Sequence, residues 1–413
     1  MYDCFRKSSN TISIFLLLLC GFACTKNGQE VLEGDADIES NVTRLEIEDA
    51  GVLTLKLDLE ANFQFLQEIR GIHLDGQDLV TFVSRDANAI YLYDTHTGEL
   101  VSKTVMDKEG PNAVKSFFQF SYFFHTRDSI FVNGLPVGLY LINSEGKVLE
   151  RKNLRSDQEI PRFDSPKPRF DFASSFENGK ISMPTEFSIQ REKVNERIVF
   201  DFDKDVLADE YIPTEMIIPD IEEVRRIKKE RVKRGEFGLI NFRSFADNGE
   251  YLFATHVISD TIYAFQEGKL KKKIYAGVPE IEIADYASYV TIRSIVRFEN
   301  GVDGSENPKQ DPLFKNTIMS PDGKFIYRVL YHGTRPKMIE GSDQPVPDII
   351  GATLVVLDLE TEALTYFDLP VDEIELGIPI NRHVFVTNKG IYFRVLDQEN
   401  EDEVQFRLFE LRK

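Results

Sequence analysis

Tryptophan is absent from this 413-residue chain, and cysteine is confined to three positions, Cys4, Cys20 and Cys24. No thiol follows Cys24, so no disulfide staples the chain beyond that point. Positive charge is in deficit: 49 Lys and Arg face 69 Asp and Glu, a formal net charge of −20. That balance speaks against nucleic acid as a partner, because such binding rests on basic side chains neutralising phosphates. Histidine is scarce, and no two of His73, His96, His125, His256, His332 and His383 stand at the helical spacing of metal ligands. There is no phosphate-binding glycine loop and no Gly-x-Ser-x-Gly elbow. The expectation is therefore no metal, no cofactor and no catalytic residue set.

What is present suits a folded β protein. Apolar residues make up 42% and charged residues 29%, which excludes a wholly disordered chain. The aromatics are 32 Phe and 15 Tyr, types that pack well on pleated surfaces. The length admits several domains or one large all-β domain with a substantial core.

The first residues stand apart. Arg6 and Lys7 precede an apolar run from Ile12 through Ala23, broken only by Ser13. A basic start, a short apolar centre and small residues at its end form the pattern of an export signal. The run is about half of the roughly 20 residues that a spanning helix requires. Leu19-Cys20-Gly21-Phe22-Ala23-Cys24 resembles a bacterial lipoprotein signal, with Ala23 as the small residue before the cysteine and Gly21 where Leu is usual. That resemblance implies a signal peptide over 1–23, lipid on Cys24, and attachment to the outer membrane, facing periplasm or cell surface. Cleavage before Cys20 is the alternative. Residues 24–44 are polar and acidic and read as a flexible tether.

From residue 45 to 413 one phrase recurs: an apolar strand ends in an acidic or polar turn and a second strand follows. Its copies are Ala89–Asp94 with Leu100–Val105, Gly138–Asn143 with Lys147–Arg151, and Ile198–Phe202 with Asp205–Asp209. Thr261–Phe265 with Lys269–Tyr275, Leu354–Asp358 with Ala363–Leu369, and a final Gln405–Glu410 complete the series. Each is a hairpin by its alternation and its turn residues. The copies recur at spacings of 49 to 92 residues. Four-stranded repeats of this kind predict propeller blades. Six blades are expected, and the longest interval leaves a seventh open. That interval is expected to hold the first strand of the fifth blade near Tyr289–Phe298 and a polar loop from Glu299 to Pro312. A charged stretch between Pro219 and Glu236 carries Ile221, Val224, Ile227 and Val232 at helical spacing.

Leu53, Leu55, Leu57 and Leu59 alternate with polar residues, which predicts a half-buried strand ahead of the first repeat. The last repeat lacks a fourth strand. Pairing the two closes the ring and hides an open sheet edge.

With its lipoprotein-like start, Glu109-Gly110-Pro111-Asn112 after the first repeat, and aromatic hairpins through Leu411, the chain resembles the six-bladed, TolB-like propeller lipoproteins of Bacteroidota. Those are grouped as domains of unknown function. The resemblance implies a fold and an envelope location and brings no catalytic residues with it. Gly110-Pro111 is in addition a plain turn signal.

Propeller loops at one end of the ring form a shallow bowl, so residues near those strand ends are the binding candidates. The group is Arg243, His256, Arg293, Arg328, Tyr331, His332, Arg335, Asn381 and Arg382. On an acidic chain such a cationic and aromatic cluster suits a small anionic or sugar-like ligand, since arginine offers a planar fork to carboxylate or phosphate. The competing expectation is that these arginines pair with acids between blades. The functions in view are a lipid-tethered binding or scaffold module, a hydrolase or lyase acting on a small molecule or glycan in the channel, and a part of an envelope assembly with a protein partner.

Overall fold

The computed structural model describes residues 45–61, 66–114, 121–134, 138–153, 167–168, 174–186, 195–211, 243–283, 312–315, 317–337, 346–376, 383–396, 398 and 400–412. The signal-like start with Cys20 and Cys24, the acidic tether, the helical pattern at 219–236 and the expected strand at 289–298 lie outside the described residues.

The structure is all-β: six small antiparallel sheets in a ring, a six-bladed β-propeller. Blade 1 runs Leu66–Leu74, Gln77–Ser84, Ala89–Asp94, Leu100–Val105. Blade 2 runs Ser121–Thr126, Ser129–Gly134, Gly138–Ile142, Val148–Asn153. Blade 3 runs Ser175–Glu177, Lys180–Glu186, Asn195–Asp201, Val206–Tyr211, with Lys167–Pro168 beside its second strand. Blade 4 runs Arg243–Asp247, Leu252–His256, Thr261–Gln266, Lys269–Tyr275. Blade 5 begins with the short pieces Leu313–Phe314 and Ile318–Met319, then Phe325–Tyr331, Ala352–Asp358, Leu364–Asp368. Its first strand is thus C-terminal to the 289–298 stretch. The longest interval carries a two-stranded ribbon, Thr334–Lys337 with Val346–Ile349. Blade 6 runs Val384–Val386, Gly390–Arg394 and Glu403–Arg412, and takes its fourth strand, Glu46–Lys56, from the start of the ring. The register of that closure places Leu53 opposite Phe406 and Glu46 opposite Arg412.

Each blade is sandwiched between two others, so its middle strands are apolar on both faces. Phe325–Tyr331 is buried throughout. Tyr327, Val329 and Tyr331 pack with Val384, Ile391 and Phe393 of blade 6, while Ile326 packs with Phe253 and Ile262 of blade 4. Equivalent clusters join blades 6 to 1, 1 to 2 and 2 to 3. A fully buried side chain of this size contributes about 1.5–3 kcal/mol. In blade 1 the rings of Phe82, Tyr91 and Tyr93 stack, and the tyrosine hydroxyls donate to Asp58 Oδ1 and the Lys56 carbonyl, 2.8 Å each. The aromatic content thereby ties the closing strand to its neighbour.

The acidic strand ends of the repeat have a direct local role. Asp94 Oδ1 accepts the amides of His96 and Thr97, and Asp201 and Asp358 do the same two and three residues on. These Asx turns close the outer hairpins. Several such turns also rest on the fourth strand of the preceding blade: Lys56 pairs with Glu99 at 3.8 Å, Lys152 with Asp205 at 3.5 Å, and Lys272 with Glu362. At Gly146, with φ of +80°, an added Cβ would lie 1.9 Å from the Val105 carbonyl oxygen, so only glycine serves both the turn and the contact.

Candidate functional site

A meander alternates its connections between the two ends of each blade, and here the ends differ. At one end lie tight turns: 75–76, 127–128, 178–179, 248–251 and 387–389 join first to second strands. These turns touch one another in ring order. Arg127 Nε donates to Asp75 Oδ2 at 2.7 Å, Asn388 Nδ2 donates to Asp78 Oδ1 at 3.0 Å, and the Asp322 amide donates to Asn388 Oδ1 at 2.9 Å. The opposite end, the loop face, is where the chain leaves the outer strands after Tyr211, Tyr275 and Asp368 for its longer connections, and it holds the ribbon of blade 5. Glu109–Asn112 belongs to the 106–120 passage. Gly110 there has φ of +93°, and Arg151 Nη2 donates to the carbonyls of Pro111 and Ala113, so the segment is a braced turn.

The sequence candidates that are described lie in blades 4 and 5, at or near their loop-face ends. Arg243 opens the first strand of blade 4, directly opposite His256 in register. His256 is buried, with Nδ1 accepting the Ile258 amide at 3.3 Å. Arg328 comes to the same seam: Nη2 donates to the carbonyls of Ser259 at 2.8 Å and His256 at 3.3 Å, and its guanidinium lies 3.6 Å over the Phe314 ring. It is 1% exposed, and its Nε and Nη1 have no hydrogen-bond partner among the described residues. Burial pushes its pKa down to about 9, with Asp260 opposing. The inter-blade neighbours of this arginine are thus carbonyls and a ring. Tyr331 is also buried; its hydroxyl donates to the Leu376 carbonyl, and the Lys315 ammonium sits 4.2 Å over its ring. His332 Nε2 lies 2.8 Å from Thr353 Oγ1. Arg335 stands exposed on the ribbon and pairs with Asp348 at 2.9 Å. Arg293, Asn381 and Arg382 lie outside the described residues.

Two further clusters carry no mark in the sequence. In blade 1, Glu68 sits in a bulge with φ of +52° and pairs with Arg70 at 2.8 Å. Arg70 Nη1 donates to the Tyr122 carbonyl, and the Tyr122 hydroxyl returns a bond to the Glu68 carbonyl. In blade 6, Glu375 Oε2 lies 3.2 Å from His383 Nδ1 and 3.3 Å from Arg394 Nε. The Glu375 amide donates to the Arg394 carbonyl at 2.7 Å, which runs this passage alongside the second strand. The carboxylate stands beside Nδ1 at ion-pair distance, outside hydrogen-bonding geometry, and leaves Nε2 for other contacts. Among the described residues no group of three or more His, Cys, Asp or Glu is placed to hold a metal ion.

Burial acts to raise the Glu375 pKa, yet the contact with His383 and the charges of His383 and Arg394 hold its carboxyl below the ordinary 4.5. A depressed folded value means that the stabilisation is complete above the ordinary value and fades as pH falls through the folded one. Glu375→Gln is expected to cost about 1 kcal/mol at pH 7, the low end for a charge-assisted contact because the side chain is partly exposed. Urea midpoints measured from pH 7 down to 3.5 should draw together for the two proteins as pH falls below the ordinary 4.5. A constant gap across that range would contradict this assignment.

With the geometry in place, the relatives can be set beside it. Residues 45–295 match the family model described as "Domain of unknown function (DUF4221)". The chain belongs to this family. A member from Bacteroides vulgatus ATCC 8482 has a crystal structure that superposes with a TM-score of 0.65 at 14% identity, covering 89% of this chain and 99% of that one. A proposed exported protein from Bacteroides fragilis NCTC 9343 superposes at 0.50 with 10% identity, covering 91% and 97%. At such identities the likeness is one of fold. No curated protein matches the chain. The family's fold is the six-bladed wheel expected from the repeats.

Proposed function

We propose that this protein is a binding module of the cell envelope, held to the outer membrane by lipid on Cys24. In this reading it takes a small anionic or sugar-like ligand at the loop-face ends of blades 4 to 6. The observation that carries the reading is the inequality of the two ends: one holds braced turns, and from the other the chain leaves for the longer connections on which binding residues usually reside. The export-type start and the likeness to a proposed exported protein support the location.

A second reading, hydrolysis or elimination on a small molecule or glycan, is favoured by Glu375 and His383, because an imidazole beside a carboxylate suits proton transfer. Calorimetric titration with inorganic phosphate, succinate and acidic and neutral oligosaccharides addresses both. Saturable binding weakened tenfold or more by Arg335→Ala with Arg382→Ala is the expected result. Product formation that His383→Gln abolishes would favour the second reading, and no saturable heat with any probe would sink the first.

A further inference from the structure

The outer strand of blade 4 is the most basic of the six. Lys269–Tyr275 carries Lys269, Lys271, Lys272 and Lys273, all exposed, and no acid. The other outer strands do not resemble it. Glu46–Lys56 has Glu46, Glu48 and Asp49 against Lys56, and Val206–Tyr211 has Asp209 and Glu210 and no base. Leu364–Asp368 has one acid, while Leu100–Val105 and Val148–Asn153 each carry a net charge of +1.

Among the described residues Lys272 pairs with Glu362 of blade 5 and the Lys273 ammonium lies 5.7 Å over the Tyr263 ring, while Lys269 and Lys271 enter no ion pair. The register shifts between Ala264 and Phe265, so that Leu270 and Lys272 are paired and Lys271 bulges out of the ladder. Lysines on an outer edge also block pairing with other sheets, but the other outer strands meet that need without a basic cluster. Beside the lysines stand Tyr275, 59% exposed, and Tyr366, 39% exposed. Lysine with tyrosine is the composition of surfaces that settle at lipid headgroups, the ring entering the interface and the ammonium meeting phosphate.

We infer that this strand docks the wheel onto an anionic lipid surface, with Lys269, Lys271 and Lys273 on phosphate groups and Tyr275 at headgroup depth. The inference rests on the membrane location proposed above and goes beyond it by assigning the edge that meets the bilayer. A tether of about 20 residues spans up to about 70 Å when extended, enough to let the wheel turn to that edge. The acidic outer strands of blades 3, 5 and 6 are repelled by the same surface and add to the orientation.

The test uses the full chain purified from bacterial membranes and vesicles of pure phosphatidylcholine or with one-third phosphatidylglycerol. Each lysine at such a surface is worth about fivefold in partition, so a preference of ten- to hundredfold for anionic vesicles is expected in low salt, fading at 0.5 M salt. Lys269→Gln, Lys271→Gln and Lys273→Gln together should erase the preference, and the three arginine replacements should keep it. Partition onto the neutral vesicles reads the anchor alone, so a missing anchor appears there and leaves the anionic preference measurable. Equal binding to both vesicles by the native chain, or a preference that survives the glutamine variant, overturns the docking edge.

Discussion

Deleting residues 45–57 is expected to abolish the monomeric fold. The deletion removes the fourth strand of blade 6 and its ladder with Glu403–Arg412. It takes away Leu45, Leu55 and Leu57, which are buried in two different inter-blade clusters. It also deprives the Tyr93 hydroxyl of the Lys56 carbonyl. A ten-residue strand, Glu403–Arg412, is left as an open edge, and unpaired edges of that kind recruit other chains. Size exclusion should show aggregate or no soluble protein, and a synthetic peptide covering 44–58 should restore a monomer when present during refolding. The point substitution Leu55→Ala, which keeps the strand, should cost about 2–5 kcal/mol as a buried cavity. A soluble monomer with native melting after the deletion would show that the ring does not depend on its closure.

That closure was legible from alternating leucines because Leu55 and Leu57 face inward, although the strand ends at Lys56 and Leu59, expected to continue the alternation, lies 99% exposed in the following turn. The outer hairpins were legible because Asp94, Asp201 and Asp358 mark turns by a local mechanism. The same logic fails inside a blade. Phe325–Tyr331 is buried on both faces, so Arg328 within it carries no signal separating an inter-blade cation from one that meets ligand. The first strand of blade 5 escaped because it consists of two dipeptides, Leu313–Phe314 and Ile318–Met319, too short for any period. Glu375, His383 and Arg394 are ordinary residues in their local sequence. Only the return of the 369–383 passage along blade 6 brings them together.

The second large effect is expected at the hub. Gly71, in the first strand of blade 1, faces the backbone of blade 6 so closely that an added Cβ would lie 1.7 Å from the Val386 carbonyl oxygen and 2.6 Å from its carbon. Both obstacles are main chain, and Val386 is itself buried. No rotamer change relieves the clash, and the two strands must part. Ordinary overpacking costs about 1–3 kcal/mol. Gly71→Ala should reach the top of that range or exceed it, with melting lowered by several degrees. Differential scanning calorimetry is the measurement, and a loss below about 1 kcal/mol would mean that the hub strands move apart with ease. The asymmetry matters, because neighbouring blades also meet through side chains that yield, as where Arg70 reaches Tyr122.

The antiparallel closure has a mechanical corollary. Glu46 lies opposite Arg412 and Lys56 opposite Glu403, so both loose ends of the ring leave from the same end of one ribbon. Tension between those ends opens the seam one rung at a time, as a zip is drawn, instead of shearing all rungs at once. A wheel tugged from its leading end and gripped by its trailing end therefore yields at low force, whereas the same wheel gripped through its blades does not load that seam.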